Sequence, residues 1–423
     1  MRRLTAEVVL AAILAVVVAG AVLVRVRTGP EPRGDLSAAF DLFGNSISAG
    51  TCIGLAGGRL GAEVPDTSTV DGVALALEDV RELEFRNLPE PRYLPPARMA
   101  AEVETAFAED YPDREAEEDE RALALLGAIP PDMDLKATLS GFVGEQVVGF
   151  YDPDTADLVV MGSPGRLDPE EKVILAHELD HALIDQVLGI PLEEPPAPGE
   201  EDSALAVRAL AEGDATLAMS MFAPRALSSA ELLSVNLSSF PDQGSVAELA
   251  RVPHYLARTM LFPYLEGLEF VCGLHVEGGW DAVDAAYRAP PTTSAQILFP
   301  DRFEVGERAV DPRDPGSLPG PWTRSDVSAV GAADLLFLFE APGGNPRAAL
   351  HDPVDLAAAW AGGEMHLWTR GDDSALGLPS FNAPGSLPFA TPWRGGTEPR
   401  SVGRGMRRGP ASVWRSTERR MTP

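Results

Sequence analysis

An unbroken apolar run from Val8 to Val24 opens the chain, with Arg2 and Arg3 before it and Arg25 and Arg27 after it. The run is at the short end of what crosses a bilayer, for which about 20 residues are usual. Ala19-Gly20-Ala21 also offers a small-residue cleavage site behind a shorter apolar core. Residues 1–27 are therefore expected to be a signal anchor or a signal peptide. The continuation of the run past the cleavage site favours the anchor. Arginines on both flanks leave orientation undecided. A large domain after a single N-terminal segment is expected outside the cytoplasm, membrane-anchored or secreted.

Residues 28–72 are rich in Gly, Ser, Thr, Pro and Ala and show little periodicity, as a flexible linker does. From Val73 the pattern turns helical. "VALALEDVRELEF" spaces apolar and charged positions at helical intervals, and "PARMAAEVETAFAEDYPDREAEEDERALALLGAIP" reads as two helices around a charged turn. The acidic run "REAEEDER" reads as a solvated helix face. "EQVVGFYDPDTADLVVMG" carries two β-prone runs separated by Asp152-Pro153-Asp154, which is hairpin chemistry.

"RLDPEEKVILAHELDHALIDQVLG" then predicts a strongly bounded helix. Asp168 suits the N-cap, Pro169 the first helical position and Glu171 the third, and Gly189 suits the stop. After an acidic, proline-rich loop, a second helix is expected from near Asp202 through "SALAVRALAEGDATLAMSMF". "PYLEGLEFVCGLHVEGGWDAVDAAYRAPP" predicts two helices broken at Gly278-Gly279 and stopped by the proline pair. "DLLFLF" at 334–339 and "AAAWAGGEMHLW" at 357–368 suggest a smaller packed unit, and beyond Leu378 the chain looks irregular. No internal repeat is visible.

Composition narrows the options. With 423 residues, 45% of them hydrophobic, the chain can bury a core unaided. The net charge of -30 is uneven, since Arg394, Arg400, Arg404, Arg407, Arg408, Arg415, Arg419 and Arg420 make the end basic. So acidic a body repels nucleic acid, and no nucleic-acid partner is expected. Cys52 and Cys272 are too few for a disulfide framework and lack metal-type spacing. They form either one bridge or two small buried thiols, and the second reading is preferred.

The chemistry lies in His177-Glu178-x-x-His181. Residues four apart share a helix face, so both imidazoles can reach one metal ion. Glu178, one position round, can reach a water on that ion and act as general base. A catalytic zinc usually takes a third protein ligand. Val187, six residues after His181, is not a histidine, so a downstream carboxylate is needed. Glu212 in "ALAEGDATL" is the best candidate because it lies in the next expected helix, and Asp202 and Asp214 are weaker ones. Asp185, one turn past His181, could accept a hydrogen bond from a ligand imidazole and fix its tautomer. The competing reading is a buried helix with ordinarily satisfied histidines. Its apolar context, from Val173 to Leu188, argues against that, because the polar groups then need partners.

"LAHELDHALIDQ" followed by "RALAEGDA" resembles the gluzincins, the thermolysin-like zinc metallopeptidases. A set of bacterial and archaeal HExxH metallopeptidases is more similar still. They share "VVGFYDP" at 147–153, "EGDA" at 212–215 and the Pro, Tyr, Gly and aromatic pattern at 263–300. The resemblance covers roughly residues 75–370. It implies His177, His181 and Glu212 as ligands of one zinc ion and Glu178 as base. It also implies that the hairpin near Tyr151 supplies an edge strand for an extended peptide. Asp180 stands where close relatives carry Thr, at a position pointing away from the metal. The transition-state donor does not carry over by motif, and Tyr264 and His275 are its candidates, with His254 and Tyr255 as further options. The end of the chain, from about Pro379, departs from the family.

The expectation is an α+β, mostly helical chain with a zincin-like metallopeptidase domain at 73–310 and a small β-hairpin before the motif helix. A C-terminal packed subdomain follows at 311–378, then a disordered basic tail, or a frameshifted reading, at 379–423. The expected activity is extracytoplasmic zinc-dependent hydrolysis of peptide or protein substrates, with membrane contact through the N-terminal segment. The alternative is a non-catalytic envelope protein whose zinc is structural or absent; hydrolysis of another amide, such as a cell-wall linkage, is a third option.

Overall fold

The computed structural model describes residues 66–144, 149–153, 155–190, 196–197, 199–238, 252–312, 314–378, 380–382 and 413–415. The expected anchor at 1–27, most of the linker, most of the basic tail and Cys52 lie outside these residues. The chain is α+β and mostly helical. Among the described residues, no helix is long and apolar enough to cross a membrane.

Helix α1 (Val70–Arg81) begins three residues before the expected linker boundary. The Thr69 hydroxyl accepts from the Gly72 N–H at 3.2 Å and fixes that start. Val70, Val73, Ala74, Leu77 and Val80 line its buried face, at the spacing that packs one stripe inward. Strand β1 (Pro91–Leu94) is followed by α2 (Pro96–Asp110), α3 (Asp113–Leu126) and α4 (Leu135–Gly144).

The hairpin forms as expected, from β2 (Gly149–Asp152) and β3 (Asp157–Met161). β1 joins it in parallel beside β3, giving the order β1-β3-β2. That strand was not legible, because "PRYL" is short and proline-flanked. Alternation of side chains across β3 divides two cores. Val159 packs with Phe150, Met99, Val103 and Phe107 on one face. Leu158 and Val160 face the main core on the other.

That core is built by α1, α5 (Pro169–Val187), α6 (Glu201–Ala226) and α8 (His254–Arg288), with α7 (Ser229–Ser238) alongside. The N-terminus of α5 follows its sequence signal: Asp168 accepts from the Glu170 and Glu171 N–H groups, and Glu171 accepts from the Asp168 N–H. At its other end, Gly189 takes a φ of 80° and closes onto Ile184 O. α8 leaves helical geometry at Gly278 and Gly279, where the glycine pair predicted a break.

Two short helices, α9 (Ser294–Leu298) and α10 (Pro300–Glu304), lead to a second sheet. It contains β4 (Thr323–Ala329), β5 (Trp360–Arg370), β6 (Asp373–Gly377), β7 (Ser380–Asn382) and β8 (Val413–Arg415). Its order is β4-β5-β6-β8, with β7 also paired to β5. β7 and β8 correct the expectation of an irregular end, since both are strands of this sheet. α11 (Ala332–Glu340), which contains "DLLFLF", sends Ala333, Leu336 and Phe337 into the main core. The C-terminal unit is therefore continuous with that core.

Cys272 on α8 is buried and disulfide-bonded, which corrects the preference for two separate thiols.

Candidate metal centre

His177 and His181 lie one turn apart on α5, and Glu212 reaches them from α6. His177 Nε2 is 3.1 Å from Glu212 Oε2 and 3.1 Å from His181 Nε2. His181 Nε2 is 3.4 Å from the same Glu212 oxygen. The two rings stand nearly perpendicular, at 86°. Three ligand atoms thus meet around one point, in surroundings where His177 is 0% and Glu212 6% exposed. This group could hold a metal ion, and it is the cluster of that kind among the described residues.

The helices meet so closely because of two glycines. A Cβ on Gly213 would lie 2.3 Å from the Gly267 carbonyl carbon, and one on Gly267 would lie 2.2 Å from Ala209 O. Only bare backbone permits this crossing of α6 and α8. Tyr264 lies one turn before Gly267 and so on the same face of α8. Its ring stacks 6.3 Å from that of His177. Burial and then the Glu212 carboxylate push its phenol well up. This places Tyr264 in the site, as the sequence considered, where it touches a ligand carboxylate.

The electrostatics are those of a charged cluster out of water. Burial opposes a charge on His181, but the Glu212 carboxylate outweighs it and holds the ring up at about 9. Glu212 goes the other way, down to about 2, because His181 and His177 outweigh its burial. Burial lowers His177. Glu178, 0% exposed, is raised to about 8 by burial, with Glu212 adding to the rise. A cation held by Glu212 offsets that contribution and favours the Glu178 carboxylate.

Glu178 has one oxygen engaged and one bare. Oε2 accepts from the Tyr151 N–H at 3.1 Å, and Oε1 is buried with no hydrogen-bond partner. Tyr151 belongs to β2, which is an edge of the first sheet. The outward amide of that edge is spent on Glu178. Asp185 differs from expectation: its Oδ2 accepts from the Tyr151 hydroxyl at 2.8 Å. It secures the strand that holds Glu178, while the expected imidazole contact is not the bond it makes.

The other candidates sit elsewhere. Asp202 accepts from the Ser294 N–H at 3.1 Å, and Asp214 binds Arg81, so neither joins the ligand group. His275 packs edge-on against Trp280 at 4.7 Å. His254 pairs with Glu340 at 2.9 Å, and the Tyr255 hydroxyl donates to Asp334 at 2.6 Å. These last two hold α8 to α11.

Sequence reasoning passed over Arg81, which is fully buried. A signal was present: Arg81 is three helical turns from Val70, on the apolar face of α1. A charged residue there needs a buried partner. Compared with protein-family models, with curated proteins and with solved structures, the chain matches none.

Proposed function

We propose that this protein is an extracytoplasmic zinc-dependent peptidase of the thermolysin-like kind, with His177, His181 and Glu212 as ligands and Glu178 as general base. One observation carries the reading. The three ligand atoms are separated by 3.1, 3.1 and 3.4 Å, and Glu178, next in sequence to His177, keeps a buried Oε1 without a hydrogen-bond partner. Tetrahedral zinc with bonds of about 2.0–2.1 Å separates its ligand atoms by about 3.3 Å. The donor set, two imidazoles and a carboxylate, is also the one zinc hydrolases use.

Zinc bound there supplies a Lewis acid that acidifies a water and polarises a carbonyl. The protein's own groups do the rest. The Tyr151 amide holds Oε2 of Glu178, so Oε1 alone is free to take a proton from the attacking water. The same oxygen then returns that proton to the leaving amine. Tyr264 orients the Glu212 carboxylate and closes the site on the α8 side. Peptide substrate lies beside β2 in this reading, with the Tyr151 amide kept on Glu178.

A structural zinc site usually has four protein ligands. Among the described residues the ligand group has three members, and Asp185 is engaged by Tyr151, which supports an open, catalytic position. The disulfide at Cys272 supports export, since disulfides persist outside the reducing cytoplasm. The test is metal analysis with a peptide-library digest of wild type and Glu178→Gln. Stoichiometric zinc in both proteins, with cleavage only in the wild type, is expected. Absence of zinc, or equal cleavage by the variant, overturns the reading.

A further inference from the structure

We propose that Arg81 is the positioning residue of the metal centre, clamping the turn of α6 that carries the ligand Glu212 to α1 and α8. The inference rests on the metal reading above and concerns a residue outside the ligand set.

The Arg81 guanidinium is fully enclosed. Its Nε donates to Asp214 Oδ1 at 3.0 Å and its Nη2 to Asp214 Oδ2 at 3.0 Å. Nη2 also donates to Asp284 Oδ1 at 2.7 Å. The guanidinium carbon lies 4.2 Å from the centre of the Trp280 ring, and the Trp280 indole donates to Val80 O at 2.7 Å.

The origin of these carboxylates gives the cluster its role. Asp214 is two residues past the ligand Glu212 on α6. Asp284 and Trp280 come from α8, and Arg81 from α1. Three helices therefore meet on one guanidinium, and one of them, α6, meets it beside a ligand. A slide or rotation of α6 against α1 and α8 would move Glu212 relative to His181 and break the fork at Asp214 together. The bidentate contact needs the planar fork of arginine, which lysine cannot reproduce.

Arg258 provides the contrast. It is also buried between carboxylates, donating to Glu266 at 2.6 Å and Glu340 at 2.9 Å. It ties α8 to α11, and none of its partners neighbours a ligand. A general requirement for buried ion pairs would affect Arg81 and Arg258 alike. A positioning role singles out Arg81.

The experiment uses the full-length chain and zinc ion as probe. Zinc affinity is measured by chelator competition for wild type, Arg81→Lys, Asp214→Asn and Arg258→Lys. Circular dichroism of the metal-free proteins reports folding, and the visible spectrum with cobalt in place of zinc reports ligand geometry. Arg81→Lys and Asp214→Asn should stay folded, bind zinc about 10–100-fold more weakly and alter the cobalt bands. Arg258→Lys should keep wild-type affinity and spectrum. If Arg81→Lys does not fold, Asp214→Asn decides. Wild-type affinity and spectrum in the folded variants overturn the proposal, as does an equal loss in Arg258→Lys. Unfolding of both Arg81→Lys and Asp214→Asn also counts against it, because these residues then hold the fold and not the site. A wild type that takes up no zinc overturns the metal reading itself, and this inference with it.

Discussion

The backbone N–H of Tyr151 donates to Glu178 Oε2 at 3.1 Å, joining an edge strand to the buried acid of the motif helix. The contact is made by main chain, so it survives any side chain at 151 that keeps the strand in place. The Tyr151 hydroxyl does a separate job, binding Asp185 about two turns further along the same helix. Strand and helix are thus joined at two points around Glu178.

Tyr151→Phe should remove only the second point. A hydrogen bond to a carboxylate contributes about 1–3 kcal/mol, so a stability loss in that range is expected in urea unfolding. Zinc content should stay at the wild-type level. Unchanged stability would show that the Tyr151–Asp185 bond does not latch the strand.

Gly213→Ala should be far more costly than its size suggests. The added methyl would meet Gly267 backbone at 2.3 Å, where no flexible side chain can yield. Overpacking of this kind costs about 1–3 kcal/mol or more, and parting α6 from α8 should also weaken zinc uptake. Gly273→Ala on α8 is the control, because a Cβ there meets nothing within 4 Å. It should be neutral or stabilise by about 0.5–1 kcal/mol. Equal melting temperatures for the two variants would refute the close-crossing argument.

Zinc should stabilise the fold through His177, His181 and Glu212. At a hundredfold excess over the dissociation constant the gain is about 2.7 kcal/mol, visible as a rise in melting temperature. His181→Ala and Glu212→Gln should abolish the rise. A zinc-dependent shift that persists in both variants would place the ion elsewhere.

Stability should fall as pH rises between about 4 and 7, through Asp202. Burial is the chief cause that raises its carboxyl from 3.8 to about 7, with Asp334 adding and the Ser294 contacts opposing. Below 3.8 both folded and unfolded chains hold the proton. Between the two values the unfolded chain has lost it and the folded chain keeps it, so the folded state loses about 1.4 kcal/mol per pH unit from this group. Above about 7 both are ionised and the slope ends. Asp202→Asn keeps an acceptor for the Ser294 N–H. The wild-type minus variant difference in unfolding free energy, measured at several pH values, should carry this slope. A flat difference would mean that Asp202 ionises freely when folded.

Much of the site was written in local pattern. The Asp168–Glu171 box and Gly189 bounded α5 because capping is a short-range affair of backbone groups and nearby side chains. The spacing of His177 and His181 put two imidazoles on one face for the same reason. Glu212 was reachable because it lies inside the next strong helix. Asp185 illustrates the limit. Its helix position made an imidazole a plausible partner, but the strand that arrives from 34 residues upstream brought the Tyr151 hydroxyl to it first.

The sequence by itself determined the main helices, the hairpin, the break at Gly278-Gly279 and the identities of the three side chains, His177, His181 and Glu212, that the fold brings together. Each depends on propensity or periodicity within a few residues. Only the tertiary structure decided that β1 pairs with β3, that Gly213 and Gly267 bring two helices into backbone contact, and that Arg81 gathers Asp214 and Asp284. Those relations join segments far apart in the chain, and burial is what selects them. A guanidinium or a carboxylate removed from water must find its partner in whichever helix packing brings near, and no local pattern records which helix that will be.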